Sequence, residues 1–445
     1  MTVRRYIWTA LLSLVLLALP AIAAGPRTHA EIGQRAWDQH LVTDPEMLPG
    51  LAGLRGDDQA MRAFYCGATF PDFGHNKINH EAAEYAHWYP YQQAYFEYMK
   101  EHFPPPWDDA ARREIAFFLG ILCHGVGDTP WHFDEDGHKS LLTMARETDR
   151  AGHGLTEHIT DIFSHVLFDI EPDPRSEFVW LTGTAQAVFE RAGVAVTPEE
   201  LARGCRKLEG EWFRGAHLGP IAYPYFQAKI PWCRAHYEDY YYGGLEHGAA
   251  LTAMCIRYYY ARLNGWHYYQ NIPIQACAFP RGEPYTPCMD AAIPAGDEEA
   301  GGSILTVGHG ACARLRFDVS DIASPEQFEG AALWLRLVDG PVAGAVEITG
   351  HAMTGEDAAD HEPSPRARPR MADVSSSWMV WDVTALVRQW VREPAGNYGM
   401  LLKTAPGADT DAVPAVRFYS SSALKARPDG YGGTVVAFRP ILVVR

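Results

Sequence analysis

Residues 119–132 read Leu-Gly-Ile-Leu-Cys-His-Gly-Val-Gly-Asp-Thr-Pro-Trp-His, which places His124, Asp128 and His132 four positions apart. Side chains four residues apart share one face of an α-helix. The residues before this stretch are apolar at helical spacing and predict a buried helix. Ionisable groups there are costly unless they are paired or bind metal. A plain core hydrogen bond is the alternative for an isolated pair. Pro130 predicts a kink or an end near Asp128, so that His132 faces a neighbouring site.

The composition of the chain predicts an exported protein of more than one domain. A length of 445 residues is typical of two or three domains. Residues 1–23 have an arginine pair, an apolar run and a small-residue end, which is the pattern of a signal peptide. Export predicts a secreted or periplasmic location. The net charge of −17 argues against a surface that attracts nucleic acid.

The cysteine content predicts disulfides, because exported chains oxidise their thiols. Cys277 and Cys288 flank a proline-rich segment and could close a local loop. No CxxC motif occurs in the chain, so a zinc site built from cysteines is not expected. The sequence leaves the pairing open. The eight cysteines are at positions 66, 123, 205, 233, 255, 277, 288 and 312.

The N-terminal half of the chain is unusually rich in histidine. Residues 24–170 contain 12 of the 19 histidines, more than a packed core requires. A carboxylate follows a Phe-Pro step at Asp72, and His87 precedes a tryptophan. Cleavage after residue 23 would leave the amine and carbonyl of Ala24 close to His29, and such a terminus can chelate a metal ion.

A second pair of metal-ligand type begins the next predicted helix. His153 and Glu157 are four residues apart, as are Asp161 and His165, which form a rival pair on the same helix. Nitrogen and oxygen ligands without cysteine suit zinc at hydrolytic sites. The candidate side chains comprise five imidazoles and three carboxylates, enough for more than one ion: His29, Asp72, His87, His124, Asp128, His132, His153 and Glu157.

These motifs, taken in order, resemble the zinc-dependent phospholipase C family, as in the catalytic domain of glycosylphosphatidylinositol-specific phospholipase D. The resemblance covers roughly residues 24–271 and rests on five motifs. They are Thr-His29-x-Glu-Ile-Gly, Phe-Pro-Asp72, His87-Trp, His124-x3-Asp128-x3-His132 and His153-x3-Glu157. The chain departs from many members in placing Ala24 where they carry tryptophan.

The resemblance implies an all-α domain with up to three zinc ions. Asp72 would also orient or deprotonate the attacking water, which makes it the predicted catalytic residue. The implied ligand sets are Asp72, His87, His124 and Asp128 for one ion; His132, His153 and Glu157 for a second; and Ala24, His29 and a shared oxygen of Asp128 for a third.

The C-terminal part of the chain changes its pattern. Residues 272–302 are rich in proline and glycine and predict a linker. Residues 303–445 contain seven short alternating stretches, which predict an all-β sandwich. Motifs such as Trp381-Asp-Val-Thr and Met400-Leu-Leu-Lys resemble the DNRLRE-type jelly-roll module. That resemblance implies a β-sandwich domain that binds carbohydrate and carries no chemistry.

The sequence therefore predicts a zinc-dependent phosphodiesterase of phospholipase C type, in which a zinc-bound hydroxide attacks phosphorus. Its expected partners are a phospholipid or another phosphodiester, a membrane surface contacted peripherally, and a glycan bound by the C-terminal domain. The first alternative is a single-strand nuclease with the same metal cluster, which the negative charge disfavours. The second is a non-catalytic carbohydrate-binding protein, which the full ligand set disfavours.

Overall fold

The chain divides into a helical unit, ending at Tyr259, and a sheet unit, beginning at Tyr260. This division is taken from a computed structural model, and each unit is described by itself. The residues that the structure describes are 25–43, 46–75, 77–134, 137–271, 288–293, 304–308, 311–339, 347–357, 359–370, 377–404, 415–421 and 435–445. The predicted signal peptide and most of the predicted linker lie outside these ranges.

The helical unit is built from α-helices joined by short connections. Shorter turns of 3-10 type lie at Phe70–Gly74 and Pro174–Ser176, and a π-helical turn lies at Ala36–Leu41. The α-helices are α1 (Pro26–Arg35), α2 (Leu51–Arg55), α3 (Asp58–Thr69), α4 (His80–His87), α5 (Tyr89–His102), α6 (Asp109–His132), α7 (Leu141–Thr148), α8 (His153–Leu167), α9 (Thr182–Arg191), α10 (Pro198–Lys229), α11 (Pro231–His236) and α12 (Leu245–Leu263).

Helix α6 is the central helix of this unit, and glycines let α3 approach it closely. A Cβ atom added to Gly120 would lie 2.1 Å from the carbonyl oxygen of Phe64, and one added to Gly67 would lie 2.0 Å from that of Phe117. Neither distance is tolerable for a real side chain, so the two backbones meet only because these residues are glycines. This contact fixes the end of α3, and with it Asp72, beside α6.

Helix α6 continues through Pro130 to His132, so of the predicted kink or end near Asp128 the end is wrong. Proline removes one hydrogen-bond donor and crowds the carbonyl four residues earlier. Pro130 lies two residues from the end of a helix of 24 residues, so the missing donor affects only the last turn. The helix therefore tolerates the proline, and His132 keeps its place one turn after Asp128.

In its described residues, the sheet unit contains antiparallel strands and the α-helix α13 (Thr384–Arg392). These strands form three sheets, with strand orders β1-β11-β5-β8-β7, β2-β4-β9-β6 and β10-β3. The strands are β1 (His267–Tyr269), β2 (Cys288–Ile293), β3 (Ile304–Val307), β4 (Cys312–Phe317), β5 (Ala331–Arg336), β6 (Ile348–Ala352), β7 (Pro369–Arg370), β8 (Trp378–Asp382), β9 (Met400–Thr404), β10 (Val416–Tyr419) and β11 (Ile441–Val444).

One apolar core joins the strands of the sheet unit. Leu333, Leu402 and Phe418 come from the three different sheets and belong to the same cluster of buried side chains. The indole Nε1–H of Trp381 in β8 donates to the carbonyl oxygen of Ile348 in β6, 2.9 Å away, which ties two sheets together. The alternating sequence pattern thus produces strands with a buried face, as predicted.

The predicted fold class, an all-α domain followed by an all-β domain, is confirmed. The jelly-roll connection pattern and the predicted domain boundaries stay predictions. In the structure β1 and β2 pair with β11 and β4, although the sequence predicted strands only beyond residue 303. Of the helices in the described ranges, not one combines the length and apolarity that crossing a lipid bilayer requires.

The cysteines for which the structure gives a state do not support the expected disulfides. Cys66, Cys123, Cys205, Cys233 and Cys312 are free thiols. Burial raises the pKa of the Cys123 thiol to about 12, so this thiol is protonated and unreactive at neutral pH. The predicted partner of Cys288, Cys277, lies outside the described residues.

Candidate metal centre

The candidate ligands come from five separate elements of the helical unit. His29 lies on α1, and Asp72 lies in the 3-10 turn after α3. His87 is the last residue of α4. Helix α6 contributes three ligands along one face, and the first turn of α8 contributes His153 and Glu157. The chain thus brings together side chains that lie more than 120 positions apart in the sequence.

The innermost group consists of Asp72, His87 and His124, whose ligand atoms all lie within 4.8 Å of one another. The Nε2 atom of His87 is 3.4 Å from Oδ1 of Asp72. All three side chains are buried, with residue exposures of 1%, 5% and 0%. A buried triad of two imidazoles and a carboxylate is a common zinc ligand set.

Backbone carbonyls fix which imidazole nitrogen faces this group. Nδ1–H of His87 donates to the carbonyl oxygen of Ala83 at 2.7 Å, and Nδ1–H of His124 donates to that of Ala68 at 2.8 Å. Carbonyls only accept, so Nδ1 carries a proton in both rings and Nε2 is the nitrogen that faces the group. Outer hydrogen bonds of this kind hold metal-ligating histidines in one orientation.

Asp128 lies between the groups and touches imidazoles on several sides. Its Oδ2 atom is 3.4 Å from Nε2 of His124 and 3.8 Å from Nε2 of His87. Its Oδ1 atom is 3.4 Å from Nε2 of His29 and 3.4 Å from Nε2 of His132. His29, His124 and Asp128 form a second group of converging ligand atoms. A carboxylate with two oxygens in this position can bridge two ions.

The third group, His132, His153 and Glu157, lies closer to solvent. The Oε1 atom of Glu157 is 3.4 Å from Nε2 of His132 and 2.7 Å from Nε2 of His153. Glu157 is buried, whereas the side chain of His153 is 64% exposed. The cluster therefore reaches solvent at His153.

The charges of the buried groups depend on one another. Burial raises the pKa of Asp72, but the imidazoles of His124 and His87 outweigh burial and hold this pKa well below its usual range. Burial also raises the pKa of Asp128, but the imidazoles of His124 and His132 lower it by more, so this pKa lies well below its usual range. Burial lowers the pKa of His87, but contact with Asp72 raises it overall, to about 9. Burial, with a contribution from His124, lowers the pKa of His29 to about 3. Both carboxylates are therefore ionised at neutral pH.

The buried atoms of this cluster fit metal ions. Both oxygens of Asp72, Oδ1 of Asp128, Nε2 of His124 and both ring nitrogens of His29 are buried without a hydrogen-bond partner. Leaving such atoms without a partner is expensive, and coordination to a cation supplies the partner. The donor set, imidazole nitrogen and carboxylate oxygen, is the set that zinc prefers at hydrolytic sites.

The remaining sequence candidates lie apart from these groups or outside the described residues. Ala24 lies outside them, so its predicted role as a ligand stays a prediction. Asp161 and His165 are paired, with Oδ2 3.6 Å from Nε2. Asp161 instead caps α1, because its Oδ1 accepts from the backbone N–H groups of Arg27 and Thr28 at 2.8 and 3.1 Å. The rival pair therefore anchors the helix that carries His29.

Two side chains next to Asp72 were missed by the sequence analysis. The Nε2 atom of His75 lies 3.4 Å from Oδ1 of Asp72. Lys207 of α10 donates from Nζ to the carbonyl oxygen of Asp72 at 3.3 Å. The spacing of three between Asp72 and His75 is a signal that could have been used. Nothing in the sequence indicates that Lys207, 135 positions away, reaches the same turn.

The geometry is that of a helical protein with candidate sites for several metal ions. Comparison with known proteins agrees with it. The model of the family described as "Zinc dependent phospholipase C" matches residues 28–216. That range contains every candidate side-chain ligand. The resemblance of this region to the zinc-dependent phospholipase C family is therefore confirmed.

Curated relatives point to the same family. Phosphatidylinositol-glycan-specific phospholipase D of Bos taurus is 27% identical over 253 residues, which are 54% of this chain and 29% of that protein. The enzyme of the same name from Dictyostelium discoideum is 25% identical over 268 residues, which are 58% of this chain and 27% of that protein. The chain spans less than a third of the length of these relatives.

The sheet unit matches a different description. The model of the family "TGF-beta propeptide" matches residues 297–421. The resemblance of this region to the DNRLRE-type module is not confirmed, and the comparisons say nothing of a bound glycan. That role stays a prediction.

Proposed function

We propose that the chain is an exported, zinc-dependent phosphodiesterase that hydrolyses phospholipids, with cleavage of phospholipase C type. The observation that carries the proposal is the set of buried nitrogen and oxygen atoms without partners that converge around Asp128. The family of residues 28–216 and the printed names of the relatives support a phospholipid as the substrate.

The residues of this cluster would form three metal sites. His87, His124, Asp72 and Asp128 would hold one ion; His132, His153 and Glu157 a second; and His29, Asp128 and Ala24 a third. Zinc ions bound in these places would supply Lewis-acid chemistry, which neutralises charge on phosphoryl oxygens and brings the pKa of bound water to about 7.

Asp72 is the residue that we propose as the proton acceptor. Its carboxylate is ionised because His124 and His87 outweigh its burial, and neither oxygen has a hydrogen-bond partner. An ionised carboxylate of this kind can orient a water molecule by accepting a hydrogen bond and can take a proton from it. His75 contacts the carboxylate of Asp72 and Lys207 its backbone carbonyl, and both would hold its position.

The experiment that tests the proposal is product analysis on phosphatidylcholine and phosphatidylinositol, with and without a chelator. Diacylglycerol indicates C-type cleavage, whereas phosphatidic acid indicates the D-type cleavage named in the relatives. Asp72→Asn should lower turnover by roughly 100-fold or more, while Asp169→Asn, at an exposed position, should leave it unchanged. Turnover of single-stranded DNA without turnover of lipid would favour the nuclease instead.

A further inference from the structure

Helix α10 changes character halfway along its exposed side. In its first half the exposed positions carry charges, at Glu199, Arg203 and Arg206. In the rest of the helix, residues 213–229, only two side chains are charged: Arg214, whose side chain is 41% exposed, and the exposed Lys229 at the last position. The exposed positions there include Phe213, Pro220, Ile221, Pro224, Tyr225 and Ala228. We call these six residues the α10 apolar face.

The members of this face are large and well exposed. Phe213, Ile221 and Tyr225 are exposed by 44%, 51% and 41%. The face follows one side of the helix for roughly 22 Å, at a rise of about 1.5 Å per residue. The polar residue His217 lies on the same side of the helix, and its Nδ1–H donates to the carbonyl oxygen of Phe213 at 2.7 Å. Contiguous apolar patches of this kind mark a contact surface in most proteins.

This part of α10 packs against the helix that carries the outer ligand group. The rings of Phe226 and His158 lie 6.4 Å apart, and Gly219 approaches Val166, so the second half of α10 lies along α8. The first turn of α8 holds His153, Glu157 and the 40% exposed Leu155. Phe133, next to His132, is 52% exposed. Exposed apolar side chains thus also flank the outer ligand group.

We propose that the α10 apolar face docks the helical unit on a phospholipid bilayer. The choice of lipid rests on the proposed function, because a phospholipid-cleaving site must meet its substrate at a membrane surface. The face presents aromatic, aliphatic and proline side chains, bordered by the cations of Arg214 and Lys229, which suits insertion among lipid headgroups and acyl chains. A chain of net charge −17 gains little from anionic lipids, so we expect the apolar side chains to supply most of the binding.

Sedimentation of the full chain with phosphatidylcholine vesicles, in the presence of zinc, tests the proposal. Ile221→Glu should weaken vesicle binding by roughly tenfold or more, because a charged side chain replaces an apolar one that leaves water. Met289→Glu, at a 55% exposed apolar position of the sheet unit, is the matched control and should have no effect. Ile221→Ser and Tyr225→Ser should give smaller losses in the same direction. If the glutamate variant does not fold, these serine variants test the same surface.

Two activity measurements separate this inference from the proposed function. Ile221→Glu should lower turnover of vesicles but leave turnover of a short-chain, monomeric phosphatidylcholine unchanged. Vesicle binding that is sensitive to Ile221→Glu, in a chain that cleaves no phospholipid, would refute the proposed function and leave the docking surface standing.

The docking proposal fails if the wild-type chain does not bind vesicles, or if Ile221→Glu binds them as well as the wild type does. It also fails if Met289→Glu weakens binding equally, because the effect would then be one of added charge. A dimer that becomes monomeric in Ile221→Glu, with vesicle binding unchanged, would assign the face to a second copy of the chain.

Discussion

The helical and sheet units bury polar groups in opposite ways. In the sheet unit the buried His351 uses both ring nitrogens, towards Thr349 Oγ1 at 3.0 Å and the carbonyl oxygen of Glu362 at 2.9 Å. In the helical unit the equally buried His124 satisfies only Nδ1 and leaves Nε2 without a partner, as Asp72 leaves both carboxylate oxygens.

Polar groups that only support a fold thus differ from polar groups that are placed to bind a ligand. A buried imidazole with two partners is part of the packing and needs nothing further. A cluster of buried imidazoles and carboxylates with open lone pairs is stable only with a cation among them or at a cost to the fold. The comparison predicts that metal should matter greatly to one unit and hardly at all to the other.

Removal of metal should have the largest effect. Dialysis of the full chain against a chelator should abolish phospholipid turnover and speed hydrogen exchange of α6 on the order of 100-fold or more, because metal binding stabilises the folded site. Peptides from β5, β8 and β11 should exchange at an unchanged rate. Added zinc should restore both activity and protection. Unchanged protection of α6 after complete metal removal would contradict this account.

A matched pair of buried histidines should sharpen the comparison. His124→Gln should lower the zinc content and reduce turnover by roughly 1,000-fold, since metal ligation contributes several kcal/mol to transition-state stabilisation. His351→Gln should leave zinc content and turnover unchanged and lower the free energy of unfolding by about 1–3 kcal/mol through lost hydrogen bonds. Metal analysis, kinetics and urea unfolding would distinguish the two. Equal zinc loss in both variants would show that the difference between the units is not real.

A pair of glycine substitutions should have the smallest effect. Gly120→Ala places a Cβ atom 2.1 Å from the carbonyl oxygen of Phe64, so we expect a loss of about 1–3 kcal/mol in the free energy of unfolding as α3 and α6 separate. Gly53→Ala, whose nearest neighbour would be 3.7 Å away, should be neutral or stabilise by up to about 1 kcal/mol. Denaturant titration measures both. A neutral Gly120→Ala would mean that the close approach of these helices is not required.

Part of this molecule was readable from local pattern. The four-residue spacing of His124, Asp128 and His132 predicted a shared helix face, and all three residues lie on the single helix α6. Thr197 and Glu200 form a capping box at the start of α10, a pattern that their spacing of three residues allows. The alternation around residues 313–317 and 400–403 appears as β4 and β9. Such features depend on neighbours within a few positions.

The failures share a different cause. Pro130 was expected to kink or end α6, but the helix does not end there, because the loss of one donor near a helix end is small beside the packing of the whole helix. The sequence analysis did not place His75 beside Asp72, where the turn after α3 brings it. The short strands β1 and β2 were missed because a strand depends on pairing with a partner elsewhere in the chain.

The sequence by itself determined which atoms are available: imidazoles and carboxylates at set spacings on helices, in an order typical of one family. Only the tertiary structure decided that these atoms meet, that Ala68 and Ala83 turn Nε2 of His124 and His87 inward, and that the second half of α10 keeps an apolar face outward. The physical reason is that helix periodicity is local, whereas convergence depends on how whole helices pack, as at Gly67 and Gly120.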